Sequence, residues 1–249
     1  MTALFDSGNS RLHFGLWDNG SLIEPASFGY PETPGHLYGV ISDLLRKHAV
    51  HKAAACSVSS QWREPLFKAL NDLLPGKCSV CLSASDIGIE VRYDNPSTYG
   101  VDRALAAYAA YRFFKDSCVV IDVGTAVTVD AVTKDGTIAG GYILPSAASL
   151  SQCLSERTDL PEVTVEKTGD GIGTSTEQCI SYGITMGVSG AVKHLISHAC
   201  NTVKSFNRLI ITGGGAQELL NSLPPGGIHK PYLVLEGLGL SFEALPKYS

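Results

Sequence analysis

Two versions of one pattern occur in this chain: Ala3-Leu4-Phe5-Asp6-Ser7-Gly8-Asn9-Ser10 and Val119-Val120-Ile121-Asp122-Val123-Gly124-Thr125-Ala126. In each, a short apolar run leads into Asp-x-Gly, and an alternating stretch then ends in a turn, at Asp18-Asn19-Gly20 and at Lys134-Asp135-Gly136. Asp6 and Asp122 are 116 residues apart, as are Gly20 and Gly136. The shared register predicts two duplicated domains, each opening with a β-hairpin whose first turn carries Asp-x-Gly.

Strand-forming apolar runs alternate with helical patterns along the chain, which is typical of an α/β protein. The predicted strands are Ala3–Phe5, Ala53–Val58, Val119–Ile121, Leu209–Thr212 and Tyr232–Leu235. The second and fourth of these runs are each followed by small residues and then a helix. We therefore expect an α/β fold with one domain in residues 1–113, its duplicate in residues 114–249, and a ligand-binding cleft between them.

The composition excludes several classes of protein. The chain has 249 residues, of which 44% are hydrophobic and 17% charged, and this supports a substantial core. Its net charge of −5 offers no basic field for nucleic acid, and no apolar run approaches the ~20 residues of a membrane helix. Residues 1–6 lack a signal-peptide pattern, and an odd number of cysteines argues against a disulfide framework. We expect a cytoplasmic protein that binds neither nucleic acid nor membrane.

The two Asp-x-Gly turns carry groups that suit phosphate and metal. Glycine lets backbone N–H groups approach an anion closely. Small polar residues add side-chain donors; they are Asn9, Ser10, Thr125 and Thr128. Asp6 and Asp122 are expected at strand ends facing one cleft, where Mg²⁺ or a monovalent cation could bridge phosphate oxygens. One such turn alone would be an ordinary hairpin, whereas two copies in register favour a phosphate site.

Three common enzyme signatures are missing from the sequence. There is no Gly-x4-Gly-Lys-(Ser/Thr) P-loop, no Gly-x-Gly-x-x-Gly in a βαβ context, and no Gly-x-Ser-x-Gly elbow. The sequence therefore disfavours a P-loop enzyme, a dinucleotide-binding fold and the commonest hydrolase fold.

The second candidate segment runs from Tyr93 to Arg103. Asp102 precedes an alanine-rich helical run, so it could be a helix N-cap and nothing more. Alternatively, its carboxylate could accept a proton from a substrate hydroxyl, while the Arg103 guanidinium binds a substrate carboxylate or phosphate. The segment alone leaves both interpretations open.

Together these motifs resemble the type III pantothenate kinase family, within the acetate/sugar kinase–Hsp70–actin superfamily. The resemblance covers essentially the whole chain, with the motifs in the family's order. They are Asp6-Ser7-Gly8-Asn9-Ser10, Tyr93-Asp94-Asn95-Pro96, Gly100-Val101-Asp102-Arg103, Asp122-Val123-Gly124-Thr125-Ala126, Gly140-Gly141, Gly173-Thr174-Ser175-Thr176 and Thr212-Gly213-Gly214.

The resemblance implies two ribonuclease-H-like (actin-like ATPase) domains, a homodimer, and ATP-dependent phosphorylation of pantothenate at the entry to coenzyme A biosynthesis. It implies Asp102 as general base, Asp122 as ligand of a monovalent cation (K⁺ or NH₄⁺), and Mg²⁺ beside the nucleotide, with Asp6 as a candidate ligand. The residues implied to bind ATP are Asp6, Ser7, Gly8, Asn9, Ser10, Arg11, Leu12, His13 and Thr125. Those implied to bind pantothenate are Tyr93, Gly100, Val101, Asp102, Arg103 and Thr176.

Two other functions stay open at this point. One is a superfamily kinase that acts on another small hydroxyl or carboxylate compound, and the other is a non-catalytic accessory factor for transcription. Among the remaining features, Cys78-x-x-Cys81 favours buried thiols over a metal site. Gly183, Gly187 and Ala191 predict a close helix contact, either within the domain or across a dimer.

Overall fold

The computed structural model describes residues 1–165, 171–203, 208–220 and 226–244. Its contacts divide the chain into two compact units. The first contains Met1–Lys115, Gly136–Ile138 and the C-terminal segment from Tyr232, and the second contains Asp116–Asp135 and Ala139–Pro231. Within the described ranges, no helix is both long and apolar enough to cross a membrane.

The first unit is built on a five-stranded sheet. Its strands are β1 (Thr2–Ser7), β2 (Arg11–Asp18), β3 (Ser21–Gly29), β4 (Ala53–Ser57) and β5 (Cys78–Cys81). Its helices are α1 (Leu37–Lys47), α2 (Arg63–Leu73), α3 (Ala84–Ile87), α4 (Val101–Phe114) and the C-terminal α8 (Leu233–Ala244), with short 3-10 helices at Pro34–His36 and Pro96–Thr98. The strand order is β3-β2-β1-β4-β5, in which β1 pairs antiparallel with β2 and parallel with β4.

The second unit repeats this arrangement. Its strands are β6 (Cys118–Val123), β7 (Ala126–Val132), β8 (Ile138–Pro145, of which the first residue belongs to the first unit), β9 (Arg208–Thr212) and β10 (Ile228–His229). Its helices are α5 (Ala147–Arg157), α6 (Thr176–Val203) and α7 (Ala216–Leu220). The strand order β8-β7-β6-β9-β10 matches that of the first sheet position by position. Both bounds of β6 lie 116 residues after those of β1, so the duplication read from the sequence is confirmed.

Each repeat contains one more strand than the predicted hairpin. The chain turns at Asn19 and Gly20, which both have positive φ, as a type I′ hairpin turn requires. It then continues as β3, just as β8 follows β7. Neither third strand could be predicted from the sequence, because no residue of β3 and only the first residue of β8 is buried, so neither strand shows a regular apolar alternation.

The C-terminal helix departs from the sequence-based expectation in two ways. Tyr232–Leu235 was predicted as a strand, but Leu233 begins α8. That helix is apolar on most sides because it packs on α4 and on the first sheet, so its sequence lacks the one-sided pattern of a surface helix. The same packing puts α8 in the first unit, whereas the boundary expected at residues 113 and 114 assigned it to the second.

Successive side chains of β1 point alternately to the core and to the candidate site. Ala3 and Phe5 lie in the core cluster formed with α1 and α2. Leu4 and Asp6 point to the opposite face, because successive side chains of a strand alternate. On that face β1 and β4 pack against α8, and β4 also packs against α4. The sheet therefore directs Asp6 toward the side that carries the segment around Asp102.

Candidate active site

Asp6 lies near the end of β1 between two polar neighbours. It is opposite His13 on β2 and beside Cys56 on β4, and its residue is 7% exposed. The thiol of Cys56 donates a hydrogen bond to Oδ1 of Asp6 across 3.4 Å. Burial, and then the charge of Asp6, hold the pKa of Cys56 well above its ordinary value, with a smaller contribution from the charge of Asp102. The thiol therefore stays protonated as a donor, and both carboxylates lie within electrostatic reach of it.

The first Asp-x-Gly turn presents its tip to solvent. The Gly8 N–H donates to the carbonyl of Arg11 across 3.1 Å, which closes the hairpin and leaves Asn9, Ser10 and Arg11 exposed. The Arg11 guanidinium is held on β3, where it donates to the hydroxyl and the carbonyl of Ser27 at 2.7 and 3.1 Å. The tip can therefore offer backbone and small side-chain donors to an anion.

The other two residues of the expected ATP-binding stretch differ in environment. The Leu12 side chain is buried in the core cluster, so only its backbone faces the hairpin. His13 is half-buried on β2, and burial, followed by the charge of Arg11, lowers its pKa. Its imidazole is therefore neutral near pH 7 and adds no positive charge beside Asp6.

In the segment expected to bind pantothenate, the side chains of Arg103 and Tyr93 are in contact. Arg103 is 7% exposed, its guanidinium lies 4.3 Å above the Tyr99 ring, and its Nη1 donates to the Tyr93 hydroxyl across 3.3 Å. The rings of Tyr93 and Tyr99 meet edge to face at 5.0 Å. This cluster fixes a nearly buried guanidinium, which suits recognition of a substrate carboxylate. Tyr99 was not among the predicted site residues, although it lies within the segment that was singled out.

Asp102 is not the N-cap of α4. Gly100 occupies that position, and Asp102 lies in the first helical turn, where its Oδ1 accepts the Arg103 N–H at 2.7 Å. The capping interpretation of Asp102 is therefore wrong, and the half-buried carboxylate lies at the positive end of the helix dipole. A Cβ at position 100 would lie only 2.6 Å from that Oδ1, so a side chain there would require the carboxylate to shift.

The second Asp-x-Gly turn is enclosed by a glycine loop within its own unit. Gly213 has φ +89°, and a Cβ there would overlap Oδ1 of Asp122 and lie 2.6 Å from the Val123 nitrogen. The Gly215 N–H donates to the Val123 carbonyl across 2.9 Å. At the exposed tip, the Ser149 hydroxyl donates to the carbonyl of Thr125 across 2.7 Å. The turn and the loop after β9 are thus in direct contact around Asp122.

The surroundings of Asp122 fit a cation with oxygen ligands. Thr128 faces Asp122 in the β6–β7 register, and its buried hydroxyl has no hydrogen-bond partner in the described parts of the chain. A carboxylate and a buried, unpartnered hydroxyl are a suitable donor set for a hard cation. The described residues contain no cluster of three or more His, Cys, Asp or Glu side chains that could hold a metal ion.

Thr176 begins α6 in the second unit and lines a cavity of about 720 Å³. The turn before it is closed by Gln178, whose Oε1 accepts from the N–H and the hydroxyl of Thr174 at 2.9 and 3.0 Å. A Cβ at Gly173 would lie 2.6 Å from the Cys179 nitrogen, so the close approach of this turn to the helix requires glycine. The cavity offers hydroxyl groups and apolar side chains together.

Comparison with known proteins gives the family. A model of the type III pantothenate kinase family matches residues 3–198. The chain belongs to the type III pantothenate kinase family. It is 32% identical to the type III pantothenate kinase of Halorhodospira halophila, with 96% of each chain covered, and 32% identical to that of Alkalilimnicola ehrlichii, with 94% of this chain and 95% of the relative covered.

Solved structures agree with this family on the fold. A Campylobacter jejuni protein described as a Baf family transcriptional activator is 22% identical and has a TM-score of 0.63, with 97% and 98% of the chains covered. Component A of the (R)-2-hydroxyglutaryl-CoA dehydratase of Acidaminococcus fermentans is 16% identical, with a TM-score of 0.57 and 98% of each chain covered. These likenesses show the fold alone, and they confirm two ribonuclease-H-like domains of the actin-like ATPase type.

Several contacts in this kinase-family chain could not be predicted from its sequence. The contacts of Cys56 with Asp6 and of Gly213 with Asp122 join residues far apart in the sequence, and only strand pairing brings them together. Cys78 and Cys81 lie on β5 as free thiols, half-buried and buried, so the interpretation as packing residues agrees with the structure. Gly183, Gly187 and Ala191 are exposed along α6, so none of them is buried by the part of the chain that the structure describes.

Proposed function

We propose that this protein transfers the γ-phosphoryl group of ATP to the primary hydroxyl of pantothenate, giving 4′-phosphopantothenate and ADP in the first step of coenzyme A biosynthesis. The observation that carries the proposal is that α4 begins with the Asp102 carboxylate, which accepts the Arg103 N–H, and with the Arg103 guanidinium fixed on Tyr99, in a chain of this family. The carboxylate can accept the proton of a substrate hydroxyl, and the guanidinium can bind a substrate carboxylate.

Asp102 acts as general base. The pantothenate oxygen attacks the γ-phosphorus as its proton passes to Asp102, and the bond from that phosphorus to the bridging oxygen breaks so that ADP leaves with the electron pair. Since phosphoryl transfer depends mainly on positioning and charge, no covalent enzyme intermediate is needed. Arg103 orients pantothenate through its carboxylate, and Tyr93 and the Gly100–Val101 backbone contact the same substrate. Thr176, in the second unit, is the further residue that the family resemblance implies for pantothenate.

The two Asp-x-Gly turns bind ATP. Asn9 and Ser10 offer donors to phosphate oxygens at the first turn, and Thr125 does so at the second. Asp6 is the candidate carboxylate for Mg²⁺, while Asp122 with Thr128 would hold a monovalent cation such as K⁺ or NH₄⁺. Both cations supply positive charge that offsets the phosphate charge in the transition state.

The proposal includes a cytoplasmic homodimer. Its support is the row of small residues on α6, since Gly183 and Gly187 have nothing within 4 Å of where a Cβ would lie. Met186, on the same helix, is 64% exposed. Small residues and an exposed apolar side chain permit a second helix to approach closely.

The test is ADP formation from ATP and Mg²⁺ with and without pantothenate, in K⁺ and in a large cation that does not bind. We expect turnover that requires pantothenate and K⁺. Asp102→Asn should lower kcat by roughly 100- to 10,000-fold, the usual contribution of a general base, with little change in the KM for either substrate.

Asp43→Asn is the matched control, because that carboxylate is exposed on α1 and should not affect turnover. Asp122→Asn should raise the K⁺ concentration required and leave the base intact. A folded wild-type protein that makes no ADP with pantothenate, or an Asp102→Asn variant as active as wild type, would contradict the proposal.

A further inference from the structure

Tyr30, directly after β3, reaches the back of the first Asp-x-Gly turn. Its hydroxyl donates to the carbonyl oxygen of Gly8 across 2.8 Å and lies 2.7 Å from Oγ of Ser7. Both partners belong to the turn expected to bind ATP, yet Tyr30 is more than twenty residues away in the sequence. Tyr30 belongs to none of the sequence motifs described above, so its contact with the turn is visible only in the structure.

The direction of both hydrogen bonds follows from the number of protons. A carbonyl can only accept, so the one phenolic proton of Tyr30 goes to Gly8, and the Ser7 hydroxyl must donate to Tyr30. Burial raises the pKa of Tyr30 to about 12, so the phenol keeps its proton at physiological pH. Ser7 is fully buried and its proton is already used. Its side chain therefore has no proton to donate to a phosphate oxygen.

The bond to Gly8 also sets the direction of the next N–H. The Gly8 carbonyl and the Asn9 N–H belong to one peptide plane, and in a trans peptide they point in opposite directions. The described backbone contains no cis peptide bond. Because Tyr30 holds the carbonyl on the protein side of the turn, the Asn9 N–H points away from Tyr30, toward the exposed tip. This is the direction from which an anion can reach it.

Tyr30 is itself held in place from behind. Its ring stacks on Trp62 with a centroid distance of 4.2 Å and an angle of 3° between the planes. Trp62 is 5% exposed, and its backbone N–H donates to the hydroxyl of Ser59. On the β4 side, the Ser57 hydroxyl and the Val58 N–H both donate to the Ser7 carbonyl, at 3.2 and 3.1 Å. The base of the turn is thus fixed from two sides by rigid partners.

We propose that Tyr30 is a positioning residue for ATP: it locks the Gly8–Asn9 peptide so that the Asn9 N–H faces the phosphates, and it holds Ser7 behind the turn as a support rather than a ligand. This inference rests on the proposed function, in which the first turn binds ATP phosphates. A flexible peptide would have to be ordered when ATP binds, and this cost falls on nucleotide affinity and not on pantothenate affinity.

The test compares Tyr30→Phe with wild type. Phenylalanine keeps the stack on Trp62 and removes both hydrogen bonds. We expect the Kd for a non-hydrolysable ATP analogue with Mg²⁺, measured by titration calorimetry without pantothenate, to rise roughly 5- to 50-fold, the effect of one or two ordinary hydrogen bonds. The KM for ATP should rise in parallel, while the KM for pantothenate stays unchanged.

Two further variants make the result specific. Tyr38→Phe, the same change on an exposed tyrosine of α1, should leave all three constants unchanged. Ser7→Ala should raise the Kd less than Tyr30→Phe does, because Tyr30 still holds Gly8, and the double variant should be no worse than Tyr30→Phe.

Each alternative outcome has a separate meaning. An unchanged Kd for the analogue in Tyr30→Phe, or equal increases in the KM values of both substrates, would overturn the positioning role. Wild-type protein that binds the analogue but makes no ADP with pantothenate would instead overturn the proposed acceptor and leave the Tyr30 result valid. Wild-type protein that does not bind the analogue would overturn both.

Discussion

Gly213 shows how a single residue can determine the surroundings of Asp122, the proposed cation ligand. Its φ of +89° is a backbone conformation that side chains disfavour, and the space where a Cβ would lie is taken by Asp122 and by the Val123 backbone. Only glycine lets the loop after β9 approach the end of β6 this closely. The aspartate is therefore held in position by a residue that contributes no functional group.

The change Gly213→Ala should both destabilise the protein and weaken cation binding. The positive φ alone costs about 1–2 kcal/mol, and the overlap with Asp122 must displace the carboxylate. We expect a lower Tm and a higher K⁺ concentration for half-maximal activity. Gly214→Ala is the control, since nothing lies within 4 Å of that position and its φ is not in the left-handed region. Equal K⁺ responses in the two variants would contradict this role of Gly213.

Packing between two helices, α4 and α8, positions the start of α4. Residues Arg103–Ala110 are all buried, and the many alanines there allow α8 to approach closely. At the closest point, a Cβ on Gly237 would overlap the carbonyl of Leu105. The helix that carries Asp102 and Arg103 is therefore set by a C-terminal helix more than a hundred residues away in the sequence.

Gly237→Ala should separate these helices. The overlap involves backbone, which cannot rotate away, so we expect a loss of about 1–3 kcal/mol in the free energy of unfolding and a lower kcat, because Asp102 moves with α4. Denaturant unfolding and steady-state kinetics measure the two effects. Gly39→Ala on α1, where nothing lies within 4 Å, should be neutral or slightly stabilising. A Gly237→Ala variant as stable as Gly39→Ala would contradict the argument.

The elements that could be predicted were those with a local signal. The paired turns, both Asp-x-Gly sequences and the helix at Asp102 follow from residue order and alternation. The helix Leu233–Ala244 could not be predicted in this way, because a helix that is buried on most sides shows a continuous apolar run, as a buried strand does. The role of Asp102 was also ambiguous from the sequence, because a carboxylate near the start of a helix can be an N-cap or a general base. The structure shows that the N-cap is Gly100.

The whole chain is a duplication, and this explains both the success and the limit of the sequence-based prediction. Two sheets with the same strand order place Asp6 and Asp122 at equivalent positions, so the repeat alone identified both aspartates. The support of the turns is repeated only in part. In both units the loop after the equivalent strand, β4 or β9, donates a backbone N–H to the last residue of the first strand, from Val58 to Ser7 and from Gly215 to Val123. The first turn is also supported by the stack of Tyr30 on Trp62, and the second by the Ser149 hydroxyl.

The proposed homodimer can be tested with a substitution on α6. We expect a dimer by sedimentation or light scattering, and Gly187→Arg should shift it to monomer. Gly187 is exposed, and no described residue lies within 4 Å of where its Cβ would be, so we expect a change in mass to report on a partner. Gly39→Arg on α1 is the matched control and should leave the mass unchanged. A wild-type monomer, or a dimer that Gly187→Arg does not affect, would contradict the proposed interface.

The most direct test of the account is to identify the phosphorylated product. The purified protein is incubated with ATP, Mg²⁺, K⁺ and an equimolar mixture of pantothenate and other small hydroxy acids, and the products are separated by mass spectrometry. We predict that 4′-phosphopantothenate is formed far faster than any other phosphoester. Faster phosphorylation of another hydroxy acid, or no phosphoester from folded protein that binds ATP, would contradict it.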